Sequence, residues 1–542
     1  MVSIISGFKL ILFIAAVASI ISAATSATLA GRKVFDVRSY GARGDGKTDN
    51  AIAFTKAWKE ACQWKGYPRV YIPFGTFYIG AVTFTGPCKS RISFIIKGTL
   101  LAPKDPNAIK QDTWIIFRYV DYLTVSGGGI LDGQGSYSWP LNNCRKTLYC
   151  RALPMNMGFQ FVRFSRLSRI KSINSKMGHF NFFAVQYFDI TRVRIMAPGD
   201  SPNTDGIKIG SSNHMKIHHV DIGTGDDCIA ILSGTTNLDI YNVKCGPGHG
   251  ISVGSLGKFK GEKSVQGLKV RDSIFNGTSN GVRIKTWASS GSPNLVSNFL
   301  YKNLQMINVE NPINIDQRYC PNPPCSVKSF SQIQIKDVKF NNIWGTSTNK
   351  VAVKLQCSKN VPCKNVELFN VNLVHRGRDG PAISLCENVA GWTRGKISPP
   401  SCIQLLSLSW CIASPTTARG HNSHRSPVTV TVKVSAASST TTISLKNHMD
   451  SETSTSIFKL HQYNVEQGLN SSPFTTPSPH RCLHCFFQKI STSTWMHLKP
   501  SFSKAPSFHH HITCITNNFT KPWLVVPSRL LLSHSKLRPR WS

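Results

Sequence analysis

The sequence predicts an all-β fold, a right-handed parallel β-helix, and three observations predict it. First, Asp205-Gly-Ile-Lys-Ile209, Asp227-Cys-Ile-Ala-Ile231 and His249-Gly-Ile-Ser-Val253 recur at intervals of 22 residues, each a polar residue just ahead of an apolar-x-apolar triplet. Second, the register returns at Asn280-Gly-Val-Arg-Ile284 and Asn311-Pro-Ile-Asn-Ile315, each 31 residues further on. Third, short strands broken by glycine, as in Val125-Ser-Gly-Gly-Gly-Ile-Leu-Asp-Gly-Gln-Gly135, run from Arg69 to about Leu385 without a clear linker. One coil of this size buries its apolar residues only by stacking on its neighbours. Residues of one row then stand about 4.8 Å apart, so the repeat also gathers two carboxylates and an imidazole onto one surface.

Each element follows in order. Residues 1–27 carry Lys9, an apolar run from Leu10 to Ile21 and small residues up to Ala27, which reads as a cleaved secretory signal. The run is too short to cross a bilayer comfortably, and no later stretch is apolar enough to span one, so no membrane association is expected after cleavage. Residues 28–402 are the solenoid. Its entrance, Phe35 to Asp49, is rich in turn residues and precedes an amphipathic run with Ile52, Phe54, Ala57, Trp58 and Ala61. That run predicts a short helix, capped by Asp49 or Thr48, whose apolar face closes the open first coil. Residues 403–542 differ: they hold 2 of the 40 glycines but 11 of the 17 histidines, with 3 acidic residues against 14 Lys plus Arg. A segment so poor in turn glycines does not continue the coils. It is expected to be a largely disordered tail, with the composition of translated intron or frameshifted sequence.

Net charge is +37. The Lys and Arg are dispersed along the coils rather than clustered with stacking aromatics, which argues against nucleic acid and leaves two readings, an acidic extracellular polymer as partner or a solvated basic surface. Twelve of the 16 cysteines lie in residues 1–402, an even number that suits disulfides in an exported chain. Cys144/Cys150, Cys320/Cys325 and Cys357/Cys363 are close enough to staple loops. No histidines are placed to complete a zinc tetrahedron with them, and neither metal nor cofactor is expected.

The polar residues of the repeat carry the chemistry. Hydrolysis of a glycosidic bond needs one carboxylic acid to protonate the leaving oxygen and one carboxylate to activate water or attack. Asp205, Asp226 and Asp227 are three candidates. Neighbours in a strand point to opposite faces, so Asp226 and Asp227 share a cleft only where the backbone leaves the pleat, as Gly223 and Gly225 permit. Like charge from Asp205 and Asp227 is expected to raise the pKa of Asp226 and keep it protonated. His249 sits in a Gly-His-Gly turn, where it is structural or holds a carboxylate. Arg283 and Lys285 flank inward Ile284 and face outward, either as a solvated strand face or as a grip on an acidic sugar. Tyr319 is open between packing and substrate contact.

In order, Asn203-Thr-Asp205, Gly225-Asp-Asp227, Gly248-His-Gly250 and Arg283-Ile-Lys285 resemble the four signatures of polygalacturonases, family 28 of the glycoside hydrolases, and the likeness runs from about Phe35 to Cys402. The opening Ser39-Tyr-Gly-Ala-Arg-Gly-Asp-Gly-Lys-Thr-Asp49 and the cysteine pattern resemble the plant members. Cys144 to Cys150 with Leu153-Pro, and Ser175-Lys-Met-Gly-His-Phe180, lean to the pollen-type exopolygalacturonases. The resemblance implies a secreted cell-wall enzyme, without cofactor, that hydrolyses the homogalacturonan of pectin with inversion. Asp226 would be the acid, Asp205 and Asp227 would position water, and His249 would assist. Asn203, Arg283, Lys285 and Tyr319 would contact substrate. A capped β-helix has little reason to associate, so a monomer is expected. An endo-acting hydrolase, a calcium-dependent pectate lyase using the aspartates as metal ligands, and a non-catalytic pectin-binding wall protein are the alternatives.

Overall fold

The structure is a computed structural model that describes residues 31–142, 152–290, 292–321 and 330–403, together with the strands Thr429–Ala436 and Ser439–Lys446. The signal segment 1–27, the Cys144/Cys150 pair, Cys325 and the rest of the tail lie outside the described residues. The chain divides into two compact units, Met1–Leu405 and Leu406–Ser542. In the second, the two described strands pair antiparallel, from Thr429 opposite Lys446 to Ala436 opposite Ser439.

The first unit is a parallel β-helix. Eleven strands, from Val82–Thr85 to Ile383–Glu387, stack into one all-parallel sheet, and the others join an 18-stranded sheet that wraps the remaining sides. The predicted register holds rung by rung: Ile207 pairs with Ile229, Ile229 with Ile251, Ile251 with Val282 and Val282 with Ile313. All five side chains are buried. Coils continue past Leu385 to the strand Val389–Ser398.

Inside, identical positions stack. Phe84, Phe117, Phe159 and Phe182 form one column with ring centroids 5.0–5.5 Å apart. In the coils that follow Asp205, Asp227 and His249 and carry Arg283 the column becomes aliphatic, through Ile209, Ile231, Val253 and Ile284. Helix Ala51–Gln63 covers the open end and buries Phe54, Ala57, Trp58 and Ala61. Trp58 lies 5.1 Å from Phe84 and 5.5 Å from Phe117, so it seals the phenylalanine column. Asp49 caps the helix by accepting the Ala51 N–H at 2.9 Å. Ile52 departs from expectation: it is 72% exposed, because at 100° per residue it falls off the stripe set by positions 54, 57, 58 and 61.

Disulfides tie the coils at Cys62–Cys88, Cys228–Cys245, Cys357–Cys363 and Cys386–Cys402. Cys357–Cys363 is the short staple that spacing suggested. Cys62–Cys88 ties the capping helix to the coil beneath it.

Candidate active site

Asp226 and Asp227 lie in a bend between strands Asn213–Gly223 and Ile229–Ile231, so the backbone leaves the pleat where expected. Gly225 is the residue the bend cannot replace: a Cβ there would come within 1.9 Å of the Ser201 carbonyl oxygen, in the bend one coil below. The Gly225 N–H donates to Thr204 Oγ1 at 2.9 Å, and Asp226 C=O accepts the His249 N–H from the coil above at 2.8 Å. Three stacked bends thus fix the site, and Cys228–Cys245 locks the second against the third.

The side chains then sort themselves. Asp226 Oδ1 accepts from His249 Nδ1 at 2.9 Å and from the Asp227 N–H at 2.8 Å, and its Oδ2 accepts from Asn203 Nδ2 at 3.2 Å. Asp227 is 2% exposed and bridged by two cations: Lys285 Nζ lies 2.9 Å from Oδ2, and an Arg283 nitrogen lies 3.1 Å from Oδ1. Asp205, 6% exposed, has Lys208 Nζ at 3.5 Å.

Two sequence expectations change here. Asp226 was expected to have the raised pKa. Burial, the largest influence on it, does act upward, but the hydrogen bond and charge of His249, the charge of Lys285 and the Asp227 N–H together carry its carboxyl well below the usual range. The raised carboxyl is Asp205, pushed up to about 6, chiefly by burial and further by Asp226 and Asp227, against the pull of Lys208 and Lys285. The reason is geometric: His249 pairs with Asp226, whereas Asp205 has one longer ion pair. Arg283 and Lys285 were read as pointing outward, on a solvated strand face or as a grip on an acidic sugar. They do leave Ile284 in the core, but in the free protein they hold Asp227.

Asn203 and Tyr319 also reach the cluster. Asn203 accepts from Asn142 Nδ2 at 3.1 Å while it donates to Asp226. The Tyr319 ring lies 5.4 Å from Lys285 Nζ and edge-on to Trp287 at 5.7 Å. Sequence reasoning missed Ser252, which donates to Asp227 Oδ1 at 2.7 Å and accepts from Arg283 Nε at 3.1 Å, and Lys208 beside Asp205. Both are the middle residues of apolar-x-apolar triplets, so strand alternation alone places them on the outward face.

Asp226, Asp227 and His249 also offer three donor atoms within 4.8 Å of one another, the metal-like cluster found among the described residues. A cation entering there would displace the ion pairs that already hold Asp226 and Asp227.

The family described as glycosyl hydrolases family 28 matches residues 62–402. The chain belongs to that family. As a family 28 hydrolase it is 46% identical over 367 residues to an exopolygalacturonase of Platanus acerifolia, a match spanning 68% of this chain and 97% of that protein. It is 44% identical over 355 residues to an exopolygalacturonase of Oenothera organensis, spanning 65% and 98%. The fold of this family 28 member is shared by endo-xylogalacturonan hydrolase from Aspergillus tubingensis, with a TM-score of 0.59 at 21% identity over 68% of this chain and all of that one. Polygalacturonase from Erwinia carotovora gives 0.52 at 26% over 64% and 94%.

Proposed function

We propose that this protein is a plant polygalacturonase that hydrolyses the α-1,4 bonds of de-esterified homogalacturonan with inversion, exo-acting, in remodelling of the cell wall. The observation that carries the reading is the convergence of Asp205, Asp226 and Asp227 from two consecutive coils, with His249 on the third coil and Arg283 and Lys285 on the fourth. Asp226 is the acid. In the free protein burial pushes its carboxyl up, but His249, Lys285 and the Asp227 N–H hold it well below the usual range, so it gains its proton once substrate is bound. An arriving uronate adds negative charge, which favours the protonated carboxyl. Asp205 and Asp227 hold the attacking water, Asp227 fixed by three donors. Amine hydrogens of Lys285 and guanidinium hydrogens of Arg283 not directed at Asp227 are the donors for the sugar carboxylate.

Export to the wall is supported by the charged-then-apolar start, Lys9 and Leu10 to Ile21, and by the disulfides among the described residues. No helix among the described residues is long and apolar enough to cross a membrane. A basic surface suits an acidic polysaccharide, and the protein is proposed to act as a monomer.

The test incubates the purified full-length chain with polygalacturonate, with and without chelator, and follows reducing ends, ultraviolet absorbance and product length. Saturated monomer released without metal is expected. Saturated oligomers would make the action endo, and unsaturated, metal-dependent products would replace hydrolysis by elimination.

A further inference from the structure

The coil that carries His249 does not pass directly to its next strand. After strand Ile251–Leu256, residues 257–263, Gly-Lys-Phe-Lys-Gly-Glu-Lys, form a loop before strand Val265–Asn276. Its base is braced. Glu262 accepts the N–H groups of Gly257 and Phe259, both at 2.9 Å, and its own carbonyl accepts from Asn294 Nδ2 at 2.9 Å. Its tip is bare: Lys258 and Lys260 are exposed, and Phe259 is 65% exposed.

The tip reaches toward the site. Lys258 Nζ stands 5.5 Å from the Trp287 ring, and Trp287 ends the strand that carries Arg283 and Lys285. Trp287 meets Tyr319, Tyr319 meets Lys285, and Lys285 holds Asp227, so contacts run unbroken from the loop to a catalytic carboxylate. Trp287 Nε1 is shielded from solvent yet has no acceptor among the described residues. A buried donor without a partner is costly, and an acceptor on a ligand would recover that loss. Lys258 Nζ lies against the rings of Phe259 and Trp287, and the one acid of the loop, Glu262, is engaged by backbone N–H groups.

We propose that residues 257–263 and Trp287 form an accessory uronate subsite that reads the free carboxylate of a sugar next to the one being cleaved. Lys258 pairs with that carboxylate, Phe259 covers the apolar face of the ring, and Trp287 Nε1–H donates to a sugar oxygen. The inference rests on the polygalacturonase reading and adds to it a discrimination: a methyl ester at this sugar removes the charge Lys258 recognises.

Binding tests it apart from turnover. Full-length protein carrying Asp226→Asn is titrated calorimetrically with trigalacturonate, alone and combined with Lys258→Gln, Lys258→Arg or Trp287→Phe. Lys258→Gln is expected to weaken binding about three- to tenfold, less at high salt, with Lys258→Arg restoring it. Trp287→Phe, which keeps the ring, is expected to weaken binding and to remove part of the fluorescence change on ligand addition. With methyl-esterified trigalacturonate the Lys258 difference should vanish. Equal affinity for the parent and the Lys258→Gln variant, or no measurable binding by any variant, overturns the subsite. Hydrolysis of polygalacturonate by the unmodified chain is assayed separately. Loop-dependent binding without hydrolysis would keep the subsite and sink the enzyme assignment.

Discussion

Two outward faces of the same β-helix handle charge in opposite ways. On the 18-stranded sheet, one row runs Arg166, Asp189, Lys216, Asp239, Lys269, alternating in sign from rung to rung. Leu300 then separates Lys269 from Lys339, which in turn faces Glu367. Like charges never stand on neighbouring rungs of that row. At the bends that lead into the 11-stranded sheet Asp205, Asp226 and Asp227 crowd together, with Asp205 and Asp227 buried. The coils stack at the same spacing of about 4.8 Å along both rows, so the difference lies in the bends and in burial. Crowded carboxylates are costly, and they persist because each has been given its own partner: Lys208 for Asp205, His249 for Asp226, and Arg283 with Lys285 for Asp227. The strain left over after that pairing is the raised pKa of Asp205.

Breaking the crowded face should have the largest effects. Asp226→Asn removes the acid but keeps the shape of the bend, and kcat on polygalacturonate should fall about 10²–10⁴-fold with little change in melting temperature. A loss below tenfold would move the acid elsewhere. Asp227→Asn acts on stability as well. It strands Lys285, 7% exposed, without its carboxylate, and removal of one partner of a buried pair costs about 3–5 kcal/mol. Thermal unfolding should show the drop, and Asp227→Asn with Lys285→Met should recover much of it while remaining inactive. If the double variant is no more stable than the single one, the ion pair is not what holds the bend.

Asp205 gives the comparison a pH axis. Its folded pKa, about 6, lies above the ordinary 3.8, so the folded protein binds this proton more tightly than the unfolded chain does. The favourable contribution is complete below the unfolded value and is lost as pH rises through the folded one. Asp205→Asn carries no charge and escapes that loss. The variant should therefore melt higher than the parent above about pH 6, with the gap closing toward about pH 4. Melting curves across that window decide it, and a gap independent of pH would assign the effect to packing.

The repeat was legible because its cause is local: a polar residue ahead of Ile-x-Ile, at a fixed interval, determines both which side chains enter the core and which rungs pair. The convergence of Asp205, Asp226 and Asp227 follows from that interval and from the glycine beside the bend. Which cation meets which carboxylate was not legible. His249 aligns with Asp227 in the row, yet it bonds Asp226, because the bend turns Asp226 toward the coil above. The missing step there is backbone direction outside regular structure, and spacing carries no information about it. Ile52 failed for the reverse reason: its residue type suits a core, but its helical angle does not. The Lys258–Trp287 contact joins a loop to a strand about a coil away, and nothing in either segment alone announces the other.

The alternating face supplies the smallest effect and the sharpest control. Lys216 is exposed and stands between Asp189 and Asp239, outside the catalytic cluster. Lys216→Glu would put three acids on consecutive rungs there, the new one exposed and Asp189 and Asp239 half-buried. Cross-strand charge pairs at such sites are worth about 0.2–1 kcal/mol, so the melting temperature should drop slightly, and less in high salt. Activity on polygalacturonate should not change, since no catalytic side chain pairs with Lys216. If three acids in a row there cost as much as breaking the Asp227 pair, then spacing alone governs charge on this fold. The small loss expected instead would locate the cost of the active face in burial, which is where Asp205 and Asp227 differ from every acid in the alternating row except Glu367.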